Sequence, residues 1–209
     1  MDTHLVVADK PAGLLCVPGR GADKQDCLSA RVQQQYADAL IVHRLDMATS
    51  GLCVFARGAT AQRQLSIAFA DRLVHKRYEA VVQGHLYAPQ GTPDGWGVID
   101  LPLLPDWPNR PLSKVDHALG KPSVTRWRVV AHGGTPPGTT RVELEPVTGR
   151  THQLRLHLQA IGHPILGDAL YAPAAVQALA PRLLLHATAI ALPHPVGGQV
   201  TAFSSPPPF

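Results

Sequence analysis

The first apolar positions of the chain fall in two short runs, residues 5–8 and 14–17, with Asp9-Lys10-Pro11-Ala12-Gly13 between them. Apolar runs of that length around a Pro and a Gly predict a strand, a turn and a second strand. Residues 19–24 are polar and read as a loop; Gly19-Arg20-Gly21 lacks the third glycine of a dinucleotide fingerprint. Leu28, Val32 and Tyr36 then recur at four-residue spacing, which predicts a helix over 26–38 capped by Asp26. Residues 43–50 are mostly polar and lead into the apolar run 51–56, a buried-type strand. A second helix is predicted from 58–60 to 72, with Leu65, Ala68 and Phe69 as its apolar stripe.

From 74 to 84 the pattern alternates. Val74, Tyr78, Ala80 and Val82 share one strand face, with Lys76 in register, while His75, Arg77, Glu79, Val81 and Gln83 share the other. Residues 88–97 form a loop rich in Pro and Gly, 100–104 a short strand, and Asp106-Trp107-Pro108-Asn109-Arg110-Pro111 a proline-locked loop. Further strands are predicted at 124–131, 140–147, 183–192 and 199–203. Thr148-Gly149-Arg150 reads as a turn and Thr151 as the N-cap of a helix on which Leu154, Leu158 and Ile161 share a face, stopped by Gly162 and Pro164. About eight strands and three or four helices, with strands often adjacent in sequence, indicate an α+β fold with a mostly antiparallel sheet rather than alternating βαβ units.

Composition narrows the class. At 209 residues one domain is the default. A hydrophobic content of 45% with 16% charged residues supports a real core and excludes global disorder. The 18 glycines and 20 prolines imply many turns and exclude a coiled coil or simple bundle. The net charge is +4, and 14 of the 19 cations are Arg. Arg suits phosphates and carboxylates and stacks on bases, although a genome-wide composition bias accounts for the excess equally well. The mild basicity permits a nucleic-acid partner without demanding one. Cys16, Cys27 and Cys53 are odd in number and form no C-x-x-C pair, which favours reduced core thiols over disulfides or a zinc knuckle. The apolar runs of residues 1–18 are too short for a signal peptide and no membrane-spanning run exists, so the expected compartment is the cytoplasm and no membrane partner is expected.

The densest polar cluster is His43-Arg44-Leu45-Asp46-Met47-Ala48-Thr49-Ser50-Gly51, just before an apolar strand. Such a loop can hold an acid rigidly at a cleft. On composition alone Asp46 is a candidate nucleophile, general base, metal ligand or Arg partner, or one end of a solvated ion pair. A second cluster is Gly149-Arg150-Thr151-His152-Gln153-Leu154-Arg155-Leu156-His157. His152 and His157 lie roughly 140° apart around a helix, so they share no face and no metal site is expected there. Arg155 falls near the apolar stripe, where a cation is costly unless a carboxylate pairs with it; otherwise it is a surface Arg. No G-x-S-x-G elbow, P-loop or Cys/His pair offers another nucleophile.

His43-Arg44-Leu45-Asp46 with Thr49-Ser50-Gly51 resembles the HRLDxxTSG signature of the RluA-type pseudouridine synthases. The resemblance covers nearly the whole chain. Asp9-Lys10-Pro11-Ala12-Gly13-Leu14 is similar to the family's N-terminal segment, Lys76-Arg77-Tyr78 to its K-x-Y motif, and Gly149 to Arg155 with Gly162-His163-Pro164-Ile165-Leu166-Gly167-Asp168 to its third motif. Leu183-Leu184-Leu185-His186-Ala187 with His194-Pro195 is similar to the C-terminal one. The resemblance implies the pseudouridine synthase α+β fold: a bent, mixed, mostly antiparallel sheet flanked by helices and loops, with an RNA cleft across it. It implies a single catalytic domain over residues 1–209, without the N-terminal S4 module of many relatives.

The resemblance further implies that Asp46 is the catalytic aspartate, Tyr78 the tyrosine under the target base and Arg155 the cation paired with Asp46. Arg44 is similar to the arginine that supports the flipped-out nucleotide, and Arg110 and Arg150 are further RNA-binding candidates. The implied reaction detaches uracil from its sugar, rotates it and rejoins it through carbon, with no redox change and no cofactor or metal. A carboxylate can serve as nucleophile or base at that centre, and a nearby cation favours its ionised form. The target must be extruded from structured RNA, which costs a few kcal/mol. The loop 106–111 resembles the branch acting on stem-loops of transfer RNA and large-subunit ribosomal RNA. A monomer is expected. The alternative of a non-catalytic RNA-binding relative would lack the aspartate or the tyrosine, and both are present.

Overall fold

A computed structural model describes residues 2–87, 92, 94–134 and 136–209. In chain order its elements are β1 (Leu5–Lys10), α1 (Leu28–Gln35), β2 (Ala39–Ile41), β3 (Ser50–Arg57), α2 (Gly58–Ala70), β4 (His75–Gln83), β5 (Gly97–Asp100), β6 (Leu103–Pro105), β7 (Ser113–Val115), β8 (Val124–His132), β9 (Thr139–Pro146), α3 (Gln153–Ala160), α4 (Ala174–Gln177), β10 (Leu185–Pro193) and β11 (Val200–Ser204). They divide into two compact units: the chain up to Lys76 with His186–Pro208, and Arg77–Leu185 with Phe209. The class is α+β, and every pairing within the units is antiparallel except that of β3 with β10.

The first unit is built around β3, whose unbroken apolar run is buried along almost its full length. Such a strand needs cover on both faces. It pairs with β1, from Leu5 opposite Ala56 to Lys10 opposite Gly51, with β2, and in parallel with β10, which carries β11. One face of β3 (Leu52, Val54, Ala56) packs on Ala61, Leu65 and Ala68 of α2 and on Ile190 and Leu192 of β10. Each Leu or Val buried there contributes roughly 1.5–3 kcal/mol.

In the second unit the strand order is β4-β9-β8-β5, and Tyr78 stands opposite Leu144. A bulge at Val130 re-aims β8 along β9. The hairpin β6–β7 projects from this unit, and α3 packs against β7, β8 and β9. Residues 153–158 of α3 are buried without exception, two polar side chains and an arginine among them.

Several expectations need correction. Residues 14–17 do not form a strand: the Leu14 carbonyl is taken by the Lys10 ammonium, and Leu15 makes one isolated bridge to Cys27. The N-cap of α1 is Cys27, because the Asp26 carboxylate is held by Arg31 at 2.7 Å. The strand expected over 100–104 is two strands, β5 and β6. Pro102, lying between them, has no N–H to continue a ladder. The N-cap of α3 is His152, in the left-handed region at φ +56°, not Thr151. Strands β2 and β7 are three residues long, too short to show a period. Residues 88–91 and 93 of the expected Pro/Gly loop lie outside the described residues. Among the described residues there are eleven strands and four α-helices.

Candidate active site

In the first unit the loop 43–49 enters β3 and is clamped from several directions. His43 Nε2 accepts the Val54 N–H at 2.9 Å, and its ring stacks on Phe69 at 4.8 Å between centroids. Burial, with the Lys76 charge adding to it, pushes His43 down to about 3, so it stays neutral and keeps that acceptor. Lys10 is fully buried; its ammonium donates to the carbonyls of Pro11 (2.9 Å), Leu14 (2.8 Å) and Met47 (3.0 Å). Gly13 N–H also donates to Met47 O, and Thr49 N–H to Asp46 O. The residue after Asp46 is thus tied to the β1 turn by two donors, while Asp46 itself is partly exposed and Arg44 exposed.

Where the loop becomes strand, buried Ser50 lies 2.8 Å from His186 Nδ1, the opposite ring nitrogen lies 3.2 Å from Ser205 Oγ, and Ser205 donates to Asp9 Oδ2 at 2.5 Å. One polarity satisfies the whole chain: Ser50 O–H to Nδ1, Nε2–H to Ser205, Ser205 O–H to the carboxylate. Gly51 follows at φ +110°, and a β-carbon there would be driven into the backbone of Ala187. Asp46 therefore sits on a loop whose two ends and middle are fixed by buried polar contacts, the kind of support a positioned catalytic group requires.

In the second unit Arg155 projects from α3 and is almost fully buried. Its Nε and one terminal nitrogen bind Asp168 Oδ2 and Oδ1 at 2.8 and 2.6 Å, a bidentate pair with both partners out of water. The carboxylate that the apolar stripe demands for this cation is present. Asp168 also accepts the N–H groups of Leu170 and Tyr171 at 2.9 and 3.1 Å. The Tyr171 ring lies 5.3 Å from the Arg155 guanidinium, and its hydroxyl accepts the Ser113 N–H at 2.9 Å and meets His152 Nδ1 at 2.8 Å. Burial pushes the Tyr171 phenol up, keeping its proton on. Gln153 staples the preceding turn: its Oε1 accepts from Thr148 Oγ1 and Arg150 N, and its Nε2 donates to Val124 O and Thr125 Oγ1.

The sequence candidates are distributed as follows. Arg44 and Asp46 share the first unit's loop. Tyr78 is half-buried on β4, Arg155 is buried on α3, and Arg150 is exposed in the turn before α3, its Nε donating to Pro122 O at 3.4 Å. Arg110 lies on the exposed loop between β6 and β7, its guanidinium 3.2 Å from the ring centre of Trp107. The histidines are engaged one by one: His152 with Tyr171, His157 between Thr125 and Leu101 O, His163 with Gln83 O. Among the described residues no cluster of three or more His, Cys, Asp or Glu could hold a metal ion. All three cysteines are free and buried, with Cys16 and Cys53 brought to 3.6 Å. The roles of Lys10, His43, Asp168, Gln153 and Tyr171 were not visible from spacing, although all but Tyr171 lie inside the motifs quoted above.

The second unit thus holds a nearly buried cation fixed by its own carboxylate, and the first a partly exposed acid on a clamped loop. Residues 4–160 match the family described as RNA pseudouridylate synthase, and the chain belongs to that family of RNA-modifying isomerases. Among its relatives, the dual-specificity RNA pseudouridine synthase RluA of Pasteurella multocida (strain Pm70) is 48% identical over 208 residues, covering 100% of this chain and 91% of that protein. RluA of Escherichia coli (strain K12) is 47% identical over the same shares. Two solved human structures are similar throughout. RNA pseudouridylate synthase domain containing 1 has a TM-score of 0.81 at 26% identity, covering 100% of this chain and 82% of that one. RNA pseudouridylate synthase domain containing 4 has a TM-score of 0.74 at 25% identity, covering 100% and 87%.

Proposed function

We propose that this chain isomerises uridines to pseudouridine in stem-loops of transfer RNA and large-subunit ribosomal RNA, acting in the cytoplasm as a monomer whose residues 1–209 form one catalytic domain. The observation that carries this reading is Asp46 on its clamped loop, in a chain 48% identical over its length to a dual-specificity synthase. Asp46 serves as the catalytic carboxylate, and Arg155, oriented by Asp168, as the cation paired with it. Tyr78 lies under the target base, and Arg44 fills the stack that the base leaves. Arg110 and Arg150 contact phosphate. The C1′–N1 bond breaks, C1′–C5 forms, the proton on C5 leaves and N1 gains one. Atoms and electrons balance without a cofactor.

The test is Asp46→Asn, which keeps shape and loses charge. Pseudouridine formation in a stem-loop RNA falls by at least a thousandfold while RNA binding persists; activity within tenfold of the parent overturns the assignment. Excess EDTA leaves the parent's rate unchanged.

A further inference from the structure

Trp107 stands out among the exposed apolar side chains. It is 66% exposed, on the loop between β6 and β7. The loop that carries it is built rather than slack. Asp106 N–H donates to Leu112 O at 2.9 Å, Asn109 N–H to Asp106 O and Leu112 N–H to Asn109 O at 3.0 Å, and Asn109 Nδ2 to the Asp106 carboxylate at 2.9 Å. At its far end Ser113 N–H is held by the Tyr171 hydroxyl. The Arg110 guanidinium covers the indole at 3.2 Å from its centre and is itself exposed. The chain therefore spends a rigid turn on presenting an indole to water with a cation stacked on it. An indole is stabilised by burial, so leaving it out is unfavourable unless something docks on it.

We propose that Trp107 is a base-stacking platform for an unpaired nucleotide of the substrate RNA, with Arg110 backing the ring and meeting the adjacent phosphate. This deepens the functional reading above and rests on it. Three features fit an RNA base better than a protein side chain. The platform is flat and aromatic, matching the π-face every base carries. Its backing cation strengthens stacking and offers a phosphate contact at the same place. The loop is fixed in advance, so stacking loses little to ordering. A base held in a continuous duplex has no free face, so the platform selects loops.

The test uses a short RNA stem-loop and a duplex of equal length, with Trp107→Ala and Trp107→Phe, and binding measured separately from single-turnover pseudouridine formation. Trp107→Ala weakens stem-loop binding by about five- to a hundredfold, within the range of one lost base stack. It leaves duplex binding within twofold, and Trp107→Phe recovers most of the loss. Abasic substitution at one loop position of the RNA brings the parent down to the Trp107→Ala level and leaves the variant unchanged. Equal binding by parent and Trp107→Ala, or equal loss on stem-loop and duplex, overturns the proposal while the parent's activity still stands. Absence of pseudouridine formation by the parent on any stem-loop overturns the functional reading instead.

Discussion

His43 shows how much one side chain can determine. It opens the most reactive-looking motif of the chain, yet its contacts are those of a structural residue: a neutral ring accepting the Val54 N–H and stacked on Phe69. Its folded pKa of about 3 lies far below the ordinary 6.5, with burial the main cause and Lys76 the second. The sign follows from linkage. Above the unfolded value neither state binds the proton, and His43 adds no pH dependence. As pH falls through 6.5 the unfolded chain takes up a proton that the folded chain refuses, so stability declines by about 1.4 kcal/mol per pH unit until the folded ring titrates. His43→Gln keeps a neutral acceptor for Val54 and removes the titration. Denaturant unfolding from pH 7 to pH 4 is therefore expected to show a slope shallower by one proton in the variant. Identical slopes would mean that His43 is charged in the folded protein.

At the level of elements, legibility depended on length and on where hydrogen bonds close. β3 and α2 were legible because an unbroken apolar run persists along the strand and an apolar stripe along the helix. The run at 14–17 has the same look but makes only one bridge, from Leu15 to Cys27, and Lys10 takes the Leu14 carbonyl. A lysine in a Pro-Gly turn reads as solvated, and its burial is a tertiary outcome. The site was legible in the same uneven way. The need of Arg155 for a carboxylate follows from its place on a buried stripe; the identity of Asp168, thirteen residues on, does not. Glycines give a sharper test of element-level reasoning. Gly51 and Gly58 both have positive φ, but a β-carbon at 51 meets the Ala187 backbone whereas at 58 it meets nothing within 4 Å. Gly58→Ala is expected to cost about 1 kcal/mol, the conformational penalty alone. Gly51→Ala is expected to cost several-fold more, because β3 and β10 must separate where Ser50 meets His186. Thermal unfolding of the two variants checks this, and equal shifts in Tm would remove the close approach as the reason for glycine.

For the whole molecule the decisive quantity is charge, and much of it is already committed. Among the described residues at least seven of the 14 arginines, including Arg126, Arg128, Arg141 and Arg155, pair with carboxylates of this chain. A net charge of +4 with so many internal pairs gives a weak long-range field, so affinity for RNA must come from a few placed contacts rather than from general attraction. If Arg110 and Arg150 are those contacts, two neutralised phosphates give a log–log salt slope of about −1.4 to −1.8, and each Arg→Ala variant at these two positions reduces it by about 0.7–0.9. Arg44 differs from the other two in when it acts. In its proposed role it acts once the base has left the stack, so Arg44→Ala is expected to slow single-turnover conversion more than it weakens initial binding, and Arg150→Ala to do the reverse. Shape carries the rest of the selectivity. A uridine in the loop of a short stem is cheap to unstack, whereas the same uridine in a continuous duplex must lose pairing and stacking on both sides. The stem-loop is therefore expected to be converted and the duplex not. Single-turnover rates on the matched pair at two salt concentrations decide the matter. Equal rates on both RNAs, or a salt slope much steeper than about −1.8, would show that the chain binds RNA by diffuse charge and does not select for an extrudable base.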